Sequence, residues 1–188
     1  GGDGLVRSIH DILTSGDTPD WLQDVFCADP AGGAQYGDMM LWELCNAFLR
    51  DGLVIDVPAG KLVDNPVDIT LTGHDGAFFV PRTAFRLGEG AELTIIEHHK
   101  GDGAFWNNRL TQIIVGKNAK LRHYRIQENP DAAAYTQNTH IRIDRDATYE
   151  AFTLTTGAGL SRNQVHVEMQ GENGSCVLAG VNLLRGTQ

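Results

Sequence analysis

The sequence is short of cysteine, of long apolar runs and of clustered basic residues, and each shortage excludes a class of protein. Its three cysteines, Cys27, Cys45 and Cys176, lie far apart and form no CxxC pair. This spacing excludes a disulfide framework and a zinc knot, and it predicts free thiols in a reducing compartment. No apolar run approaches the roughly 20 residues of a membrane-spanning helix. We therefore expect a cytoplasmic protein without a membrane partner.

Basic residues are outnumbered and scattered. The chain has 15 Lys and Arg residues against 24 Asp and Glu residues, which gives a formal net charge of −9. Since Lys and Arg form no run, nucleic acid is excluded as an expected partner. With 41% hydrophobic residues in 188, the chain is long and apolar enough to bury the core of one domain.

A repeat of 28 residues organises the sequence from Arg86 onward. Four segments align without a gap: RLGEGAELTIIEHH (86–99), IVGKNAKLRHYRIQ (114–127), RIDRDATYEAFTLT (142–155) and QGENGSCVLAGVNL (170–183). The small residue at the same position of each is Ala91, Ala119, Ala147 and Ser175. Self-similarity at such a period is typical of a solenoid, whose units stack to bury their apolar faces.

Apolar residues alternate with polar ones on either side of a turn in each repeat, which predicts strands. The predicted inward columns before the turn are Thr83, Thr111, Thr139 and Val167, and then Phe85, Ile113, Ile141 and Met169. The predicted inward columns after it are Leu93, Leu121, Tyr149 and Val177, and later Ile96, Tyr124, Phe152 and Gly180. The turn itself carries Gly90, Asn118, Asp146 and Gly174, types that tolerate positive φ. The fold class predicted is mainly β, a parallel β-helix.

Opposite charges fall in register on the predicted outer face. Equivalent side chains of neighbouring parallel strands lie roughly 4.8 Å apart. The alignment sets Glu92 over Lys120, Arg122 over Glu150, and Glu97 over Arg125. These pairs support the register of the stack.

The repeats are preceded by an irregular first coil and by helical segments. Leu53–Leu71 alternates through a corner at Pro58–Gly60, and a further strand follows Pro66. Asp38–Arg50 has helical spacing, with Asp38 as its N-cap, and is expected to cover the open end of the first coil. Weaker helical patterns lie in Leu5–Phe26, and Pro30–Gly37 is read as a linker. The predicted domains are therefore an N-terminal helical segment and linker at 1–52 and a β-helix at 53–188.

Glu97-His98-His99 is the strongest candidate for a metal or catalytic site. His98 shares a column with Ile126 and Leu154, so one imidazole is expected near the core. Adjacent strand residues face opposite sides, which keeps His98 and His99 from meeting at one ion. A structural or interface role is favoured. The other histidines are scattered: His123 aligns with Ile95, His140 aligns with Gln112 and Glu168, and His10 and His74 lie outside the regular coils.

Two further groups have both a ligand-binding and a structural reading. Trp106-Asn107-Asn108-Arg109, placed in a loop between coils, combines an aromatic ring, amides and a guanidinium that could hold a sugar or a base, but packing explains it as well. Asp144, Asp146 and Glu172 could form a calcium site, but turn chemistry is the favoured explanation. Gly88-Glu89-Gly90 lacks the helix of a phosphate site. We assign no catalytic, cofactor-binding or metal-ligating residue.

Three stretches resemble the SufB/SufD family of iron–sulphur cluster assembly scaffold proteins, with the SufD branch closer. They are LCNAFLRDGLVIDVPAGKLVDNPVDITL (44–71), VPRTAFRLGEGAELTIIEHH (80–99) and GAGLSRNQVHVEMQGENGSC (157–176). Their motifs DG-x-x-I-x-V-P-x-G, EGA-x-x-x-x-x-EH and L-x-RN are specific in combination.

The resemblance implies a right-handed parallel β-helix flanked by helices, without enzyme activity. It also implies a SufB-like or SufD-like partner, a SufC-like ATPase, and a transient iron–sulphur cluster formed where the two scaffold subunits meet. In full members the later coils, the ATPase-binding helices and the cluster-associated Cys and His lie beyond the equivalent of Gln188. None of those residues is carried onto a position here, and the fragment is expected to bind no cofactor.

Two rival functions and one consequence follow from the repeat. A carbohydrate-active β-helix enzyme would need converging acids or a basic residue with calcium on one sheet face, whereas the columns have mixed charge. A purely architectural β-helix would form filaments. An open coil around Val167–Leu184 exposes unpaired backbone groups, and self-association through this end is expected.

Overall fold

The computed structural model describes residues 4–27, 36–50 and 52–186, and its elements are short helices followed by strands. The described helices are α1 (Ile9–Ser15), α2 (Asp20–Cys27) and α3 (Tyr36–Ala47). The strands are β1 (Val6–Ser8), β2 (Gly52–Val57), β3 (Val67–Gly73), β4 (Phe78–Phe79), β5 (Arg82–Leu87), β6 (Glu92–Gly101), β7 (Trp106–Val115), β8 (Lys120–Gln127), β9 (Ala134–Ile143), β10 (Thr148–Thr155), β11 (Leu160–Met169) and β12 (Ser175–Asn182).

The strands form two sheets that the chain visits alternately. The first sheet has the order β1-β2-β5-β7-β9-β11, with β4 also on β7, and the second has the order β3-β6-β8-β10-β12. All pairs are parallel except β1 with β2. The result is a β-solenoid of about five turns. The parallel β-helix is confirmed, while its handedness and the division at residue 52 stay predictions.

A tight corner joins the first sheet to the second in each coil. Gly60, Gly90, Asn118 and Asp146 have φ of 72°, 67°, 55° and 58° there. The predicted positive-φ column is therefore confirmed at Gly90, Asn118 and Asp146, and it is wrong at Gly174, because the positive φ of the last corner falls on Asn173. Register is confirmed too, since Leu93 pairs with Leu121 and Leu121 with Tyr149.

The last coil departs from the predicted period. The loop 156–159 is two residues shorter than its counterpart 128–133, and the corner 170–174 is one residue longer than 144–147. Val165 therefore pairs with Thr139, where Val167 was predicted, and Cys176 replaces Val177 beside Tyr149. Ser175 lies against Thr148 and not in the column of Ala147.

The apolar core fills the interior on the side next to the tight corners. Its members come from both sheets and stack as columns: Ile55, Val57, Ile69, Phe85, Leu87, Ala91, Leu93, Ile95, Ile113, Val115, Ala119, Leu121, Ile141, Ile143, Ala147 and Tyr149. Fully burying one such Leu or Ile side chain contributes roughly 1.5–3 kcal/mol. These columns hold the coils together.

The predicted second inward column of the second sheet is wrong. Ile96, Tyr124 and Phe152 stack in register but lie on its outer face, where Tyr124 is 42% and Phe152 39% exposed. The inward residues of β6 are Leu93, Ile95, Glu97 and His99, an unbroken alternation. Polar residues thus enter the interior where apolar ones were expected.

The helices cover the outer face of the first sheet. Ile9 and Ile12 of α1 and Leu22 of α2 pack with Val54 and Ala84. Trp42 and Cys45 of α3 pack on Leu110.

Two expectations about α3 are corrected. The helix lies against the side of the solenoid, on β7 and β9, and not over the open end of its first coil. It begins at Tyr36, so Asp38 falls inside the helix and is not its N-cap, and it ends at Ala47. Most of the predicted linker Pro30–Gly37 lies outside the described residues.

Candidate functional site

The interior away from the tight corners contains a cluster of buried polar side chains, here called the polar core. Alternation in β6 turns Glu97 and His99 inward, and both are fully buried. The parallel neighbour β8 adds His123 and Arg125, while β7 of the first sheet adds Arg109. Five groups that can bear charge are therefore enclosed between the two sheets.

Glu97 is the hub of this cluster. Arg109 Nη2 donates to Glu97 Oε1 at 2.6 Å and to Thr83 Oγ1 at 2.8 Å. His123 Nε2 lies 3.2 Å from Glu97 Oε2, and His99 Nε2 lies 3.4 Å from the same oxygen. Arg125 Nε is farther away, at 3.6 Å from Oε2. One carboxylate thus gathers two guanidiniums and two imidazoles.

The charge states of the polar core follow from burial and from these contacts. Burial alone would raise the pKa of Glu97, but Arg109 and His123 outweigh it and hold the pKa well below the ordinary value. Burial lowers the pKa of His99 to about 4 and also lowers that of His123. Burial raises the pKa of Tyr135 and Tyr149. At neutral pH Glu97 is therefore ionised, whereas the imidazoles and phenols are neutral.

The polar core has the character of a structural ion-pair network. Within residues 4–27, 36–50 and 52–186, no group of three or more His, Cys, Asp or Glu side chains is placed to hold a metal ion. The guanidinium of Arg109 donates to Oε1 of Glu97, and the two imidazoles lie against Oε2. The arrangement can fix the sheets relative to one another and can hold a charge in a dry interior.

The sequence reasoning found the members of the polar core but not their placement. Glu97 does lie over Arg125 as predicted, but both are in the interior and not on the outer face. His98, expected near the core, points outward, with Nε2 3.9 Å from Asp68 Oδ1. Counting every second residue forward from Leu93, which is buried at 1% exposure, would have placed Glu97 and His99 inside.

The Trp106–Arg109 segment is not a loop. It begins strand β7, and Asn107, Asn108 and Arg109 are buried. Trp106 Nε1 donates to Thr136 Oγ1, and Asn108 Nδ2 donates to the carbonyl of Leu41, which ties α3 to the sheet. The hydrogen bonds of this segment are therefore made within the protein, which favours packing over ligand binding.

The remaining histidines are spread over the molecule. His140 aligns with Gln112 as predicted, but the shorter last coil sets His166 beside it where Glu168 was expected. The His140 and His166 rings stack at 4.6 Å, and burial together with His166 lowers the pKa of His140 to about 4. His74 Nδ1 lies 3.2 Å from Asp102 Oδ1 on the surface, and His10 is exposed on α1.

The cysteines and the acidic corner show no ligand arrangement among the described side chains. Burial raises the pKa of Cys45 to about 12, and Cys176 is half-buried. The side chain of Cys27 lies outside the described residues. Asp146 has a positive φ and accepts from Asn173 Nδ2, while Asp144 accepts from the backbone of Arg145. These contacts are turn chemistry, the reading favoured for this corner.

Two cavities flank the polar core. A cavity of about 680 Å³ beside the first coil includes Thr83, the acceptor for Arg109. A second, of about 590 Å³, lies in the last coils and includes Arg125. Among the described residues no helix is long and apolar enough to cross a membrane.

Comparison with known proteins assigns the chain to a family. The family described as "SUF system FeS cluster assembly, SufBD core domain" matches residues 69–188. "Protein ABCI7, chloroplastic" of Arabidopsis thaliana is 32% identical over 151 residues, covering 74% of this chain and 32% of its own length.

A second relative is more distant. "Iron-sulfur cluster assembly SufBD family protein slr0076" of Synechocystis sp. is 22% identical over 165 residues, covering 81% of this chain and 36% of the relative. The chain spans about a third of the length of these relatives. Since the family match covers the solenoid from β3 onward, the chain belongs to the SufBD family of the SUF iron–sulphur cluster assembly system.

Proposed function

We infer that this chain is the solenoid core of a SufD-like scaffold subunit without enzyme activity of its own. The observation that carries this inference is the coincidence of the family match, residues 69–188, with the stacked strands β3–β12. A scaffold must keep its surfaces fixed while its partners move. Parallel ladders on both sheets, closed around a filled interior, supply that rigidity.

The partners proposed for the full-length protein are a SufB-like subunit and a SufC-like ATPase. The iron–sulphur cluster is the cargo of that complex, formed transiently between scaffold subunits, and the core fragment holds no cofactor. A cytoplasmic location, without nucleic-acid or membrane partners, stays part of this proposal. Support comes from the family match and from the relative whose name places it in iron–sulphur cluster assembly.

The outer face of the second sheet supports a role in protein contacts. Tyr124 and Phe152 stack there, and no described helix covers them. Beside them Arg122 pairs with Glu150, at 3.4 Å between Nε and Oε2. An aromatic stripe beside charged residues is a composition that protein interfaces favour.

The test is a pull-down of the full-length parent with SufB-like and SufC-like proteins, coupled to iron and sulphide analysis of the complex. A SufD-like scaffold should retain both partners, and the assembled complex should acquire iron and sulphide. A parent that retains neither partner would remove the scaffold role. A parent that pairs with a SufD-like subunit instead of a SufB-like one would belong to the SufB branch.

A pair of variants on one strand controls for folding in this test. Leu121→Asp places a carboxylate in the apolar core and should abolish both the fold and the pull-down. Arg122→Asp, the next residue, changes the outer face and should leave the fold intact. Capture that survives Leu121→Asp would show binding that does not depend on the solenoid.

A further inference from the structure

The polar core ends at the first coil. The column that contains Glu97 continues into β3 as Ile69, and the column that contains His99 continues as Leu71. Ile69 belongs to the apolar core, and Leu71 packs against it. The interior on this side of the solenoid is therefore polar in the middle coils and apolar in the first coil.

The cavity of about 680 Å³ lies beside this apolar part of the interior. Leu53 of β2 lines it from the first sheet, Ile69 and Leu71 of β3 line it from the second, and Phe79 and Val80 line it from the segment before β5. Cavities of about 300–1,000 Å³ with mainly apolar walls are the size that small organic ligands occupy in proteins. The first coil therefore has room for the apolar part of such a ligand.

Exposed aromatic side chains belong to the lining of this cavity. Phe48, the residue after α3, is 51% exposed, and Phe78 of β4 is 42% exposed. Their rings meet edge to face with centroids 5.9 Å apart. Because both side chains line the cavity and also reach the surface, they mark its mouth. A ligand can therefore enter from solvent.

The lining also contains an exposed basic residue, Arg50. Within the part of the chain that the structure describes, Arg50 forms no ion pair. Arg82, also in the lining, is buried and donates to Gln112 and Asn46. None of the described residues that line the cavity is acidic. The charge at the mouth is therefore positive, and it favours an anionic group there.

We propose that this cavity binds a medium-chain alkyl carboxylate, with the alkyl tail among Leu53, Ile69 and Leu71 and the carboxylate at Arg50. A guanidinium pairs with a carboxylate through charge-assisted hydrogen bonds. The tail leaves water as it enters, and it covers wall side chains that are only half-buried in the free chain. This site goes beyond the scaffold role and does not depend on it, because it rests on the lining of the first coil.

The test is calorimetric titration of the 188-residue chain with octanoate, hexanoate and octylammonium at constant ionic strength. Octanoate should saturate the chain. Hexanoate should bind about tenfold more weakly, since each buried methylene contributes about fourfold in affinity. Octylammonium has the same tail with the opposite charge, and it should bind at least about fivefold more weakly than octanoate. Failure of octanoate to saturate the chain, or equal affinities for octanoate and octylammonium, would overturn the proposal.

A pair of surface variants tests the charge at the mouth. Arg50→Gln changes an exposed side chain, so the fold should be retained, and it should weaken octanoate binding about threefold to fivefold. Lys117→Gln removes an exposed cation at the corner of a later coil, outside the cavity lining, and should leave the affinity within about twofold. Equal losses for the two variants would show general charge attraction and would overturn the site.

A second pair of variants tests the place of the tail. Leu71→Phe adds volume to the wall of the cavity and should weaken octanoate binding several-fold. Leu62→Phe makes the same change at a residue that is 60% exposed and lies outside the lining, and it should leave the affinity unchanged. Circular dichroism checks that both variants are folded; if Leu71→Phe is not, the Arg50→Gln and Lys117→Gln pair decides. Equal affinities for two folded variants would overturn the assignment of the cavity.

Discussion

The apolar core and the polar core are built by the same strands, yet they stabilise the molecule in different ways. Along β8, Leu121 belongs to the apolar core and Arg125, four residues on, belongs to the polar core. Leu121 stacks between Leu93 and Tyr149, and any apolar side chain of the right volume would serve there. Arg125 needs particular partners at particular distances. One interior therefore tolerates apolar substitution on one side and depends on pairing on the other.

This difference explains how a solenoid can enclose charge. Stacking alone requires only that inward side chains fill the space between the sheets. The side next to the tight corners meets that requirement with aliphatic residues, which secures the coils. The far side is then free to hold Glu97, Arg109 and the imidazoles, provided that each polar group finds a partner.

The largest effect is expected from neutralising the hub of the polar core. Glu97→Gln preserves the volume of the side chain but leaves Arg109 and Arg125 without a carboxylate. Breaking a buried ion pair in this way should lower the free energy of unfolding by about 3–5 kcal/mol. Urea denaturation followed by circular dichroism at pH 7 measures this loss.

A double variant and a surface variant sharpen the measurement. Glu97→Gln with Arg109→Met removes one of the unpaired cations and should be more stable than Glu97→Gln alone. Glu92→Gln, on the same strand but exposed, should change the free energy of unfolding by no more than about 0.5 kcal/mol. Similar losses for Glu97→Gln and Glu92→Gln would show that the polar core contributes nothing through charge.

The apolar core should respond to volume instead. Leu121→Ala removes a fully buried side chain and is expected to cost about 2–5 kcal/mol, because the surrounding columns cannot collapse completely. Tyr124→Ala, on the outer face of the same strand, loses only cross-strand contacts worth up to about 1 kcal/mol. Equal costs for the two variants in urea denaturation would contradict the assignment of faces along β8.

The backbone of the solenoid was accessible to sequence reasoning because its constraints are local. A corner that needs positive φ selects Gly, Asn or Asp, and Gly90, Asn118 and Asp146 occupy it. Aliphatic columns such as Leu93 and Leu121 then fix the register. The register of the last coil was predicted wrongly because this coil shortens a loop by two residues and lengthens a corner by one. A constant period of 28 therefore misplaces Val165 and Cys176.

The polar core was not predicted because hydrophobicity sets the expected face of a strand residue. Leu93 and Ile95 mark the inward face of β6, but the apolar side chains of Ile96 and Tyr124 led to the prediction that the opposite face is inward from there on. The charge pairing of Glu97 with Arg125 gave the correct register but is compatible with either face. Only the arrival of Arg109 from the other sheet makes the interior position favourable, and that contact is not visible in a single repeat.

The smallest of the three effects is the dependence of stability on pH, which is expected from the titratable groups of the polar core and not from the apolar core. The pKa of His99 is about 4 in the folded chain against an ordinary 6.5. Below pH 6.5 the unfolded chain therefore binds a proton that the folded chain does not, so stability is complete above pH 6.5 and is lost as the pH falls towards 4. Since one pKa unit corresponds to about 1.4 kcal/mol, His99 alone should cost about 2 kcal/mol at pH 5.

His99→Gln should remove the contribution of His99 to the loss of unfolding free energy between pH 7 and pH 5. This holds whatever stability the substitution costs at pH 7. His123 and His140, whose pKa values are also lowered, should still contribute to the loss of stability in acid. Glu97 adds nothing in this range, because its ordinary pKa of 4.5 lies below it. His98→Gln changes the adjacent residue, which points outward, and should leave the change in unfolding free energy between pH 7 and pH 5 as it is in the unsubstituted chain. Urea denaturation at both pH values measures this change in the free energy of unfolding. If the change is the same for His99→Gln and His98→Gln, His99 is not buried as a neutral imidazole, and the account of the polar core fails at that residue.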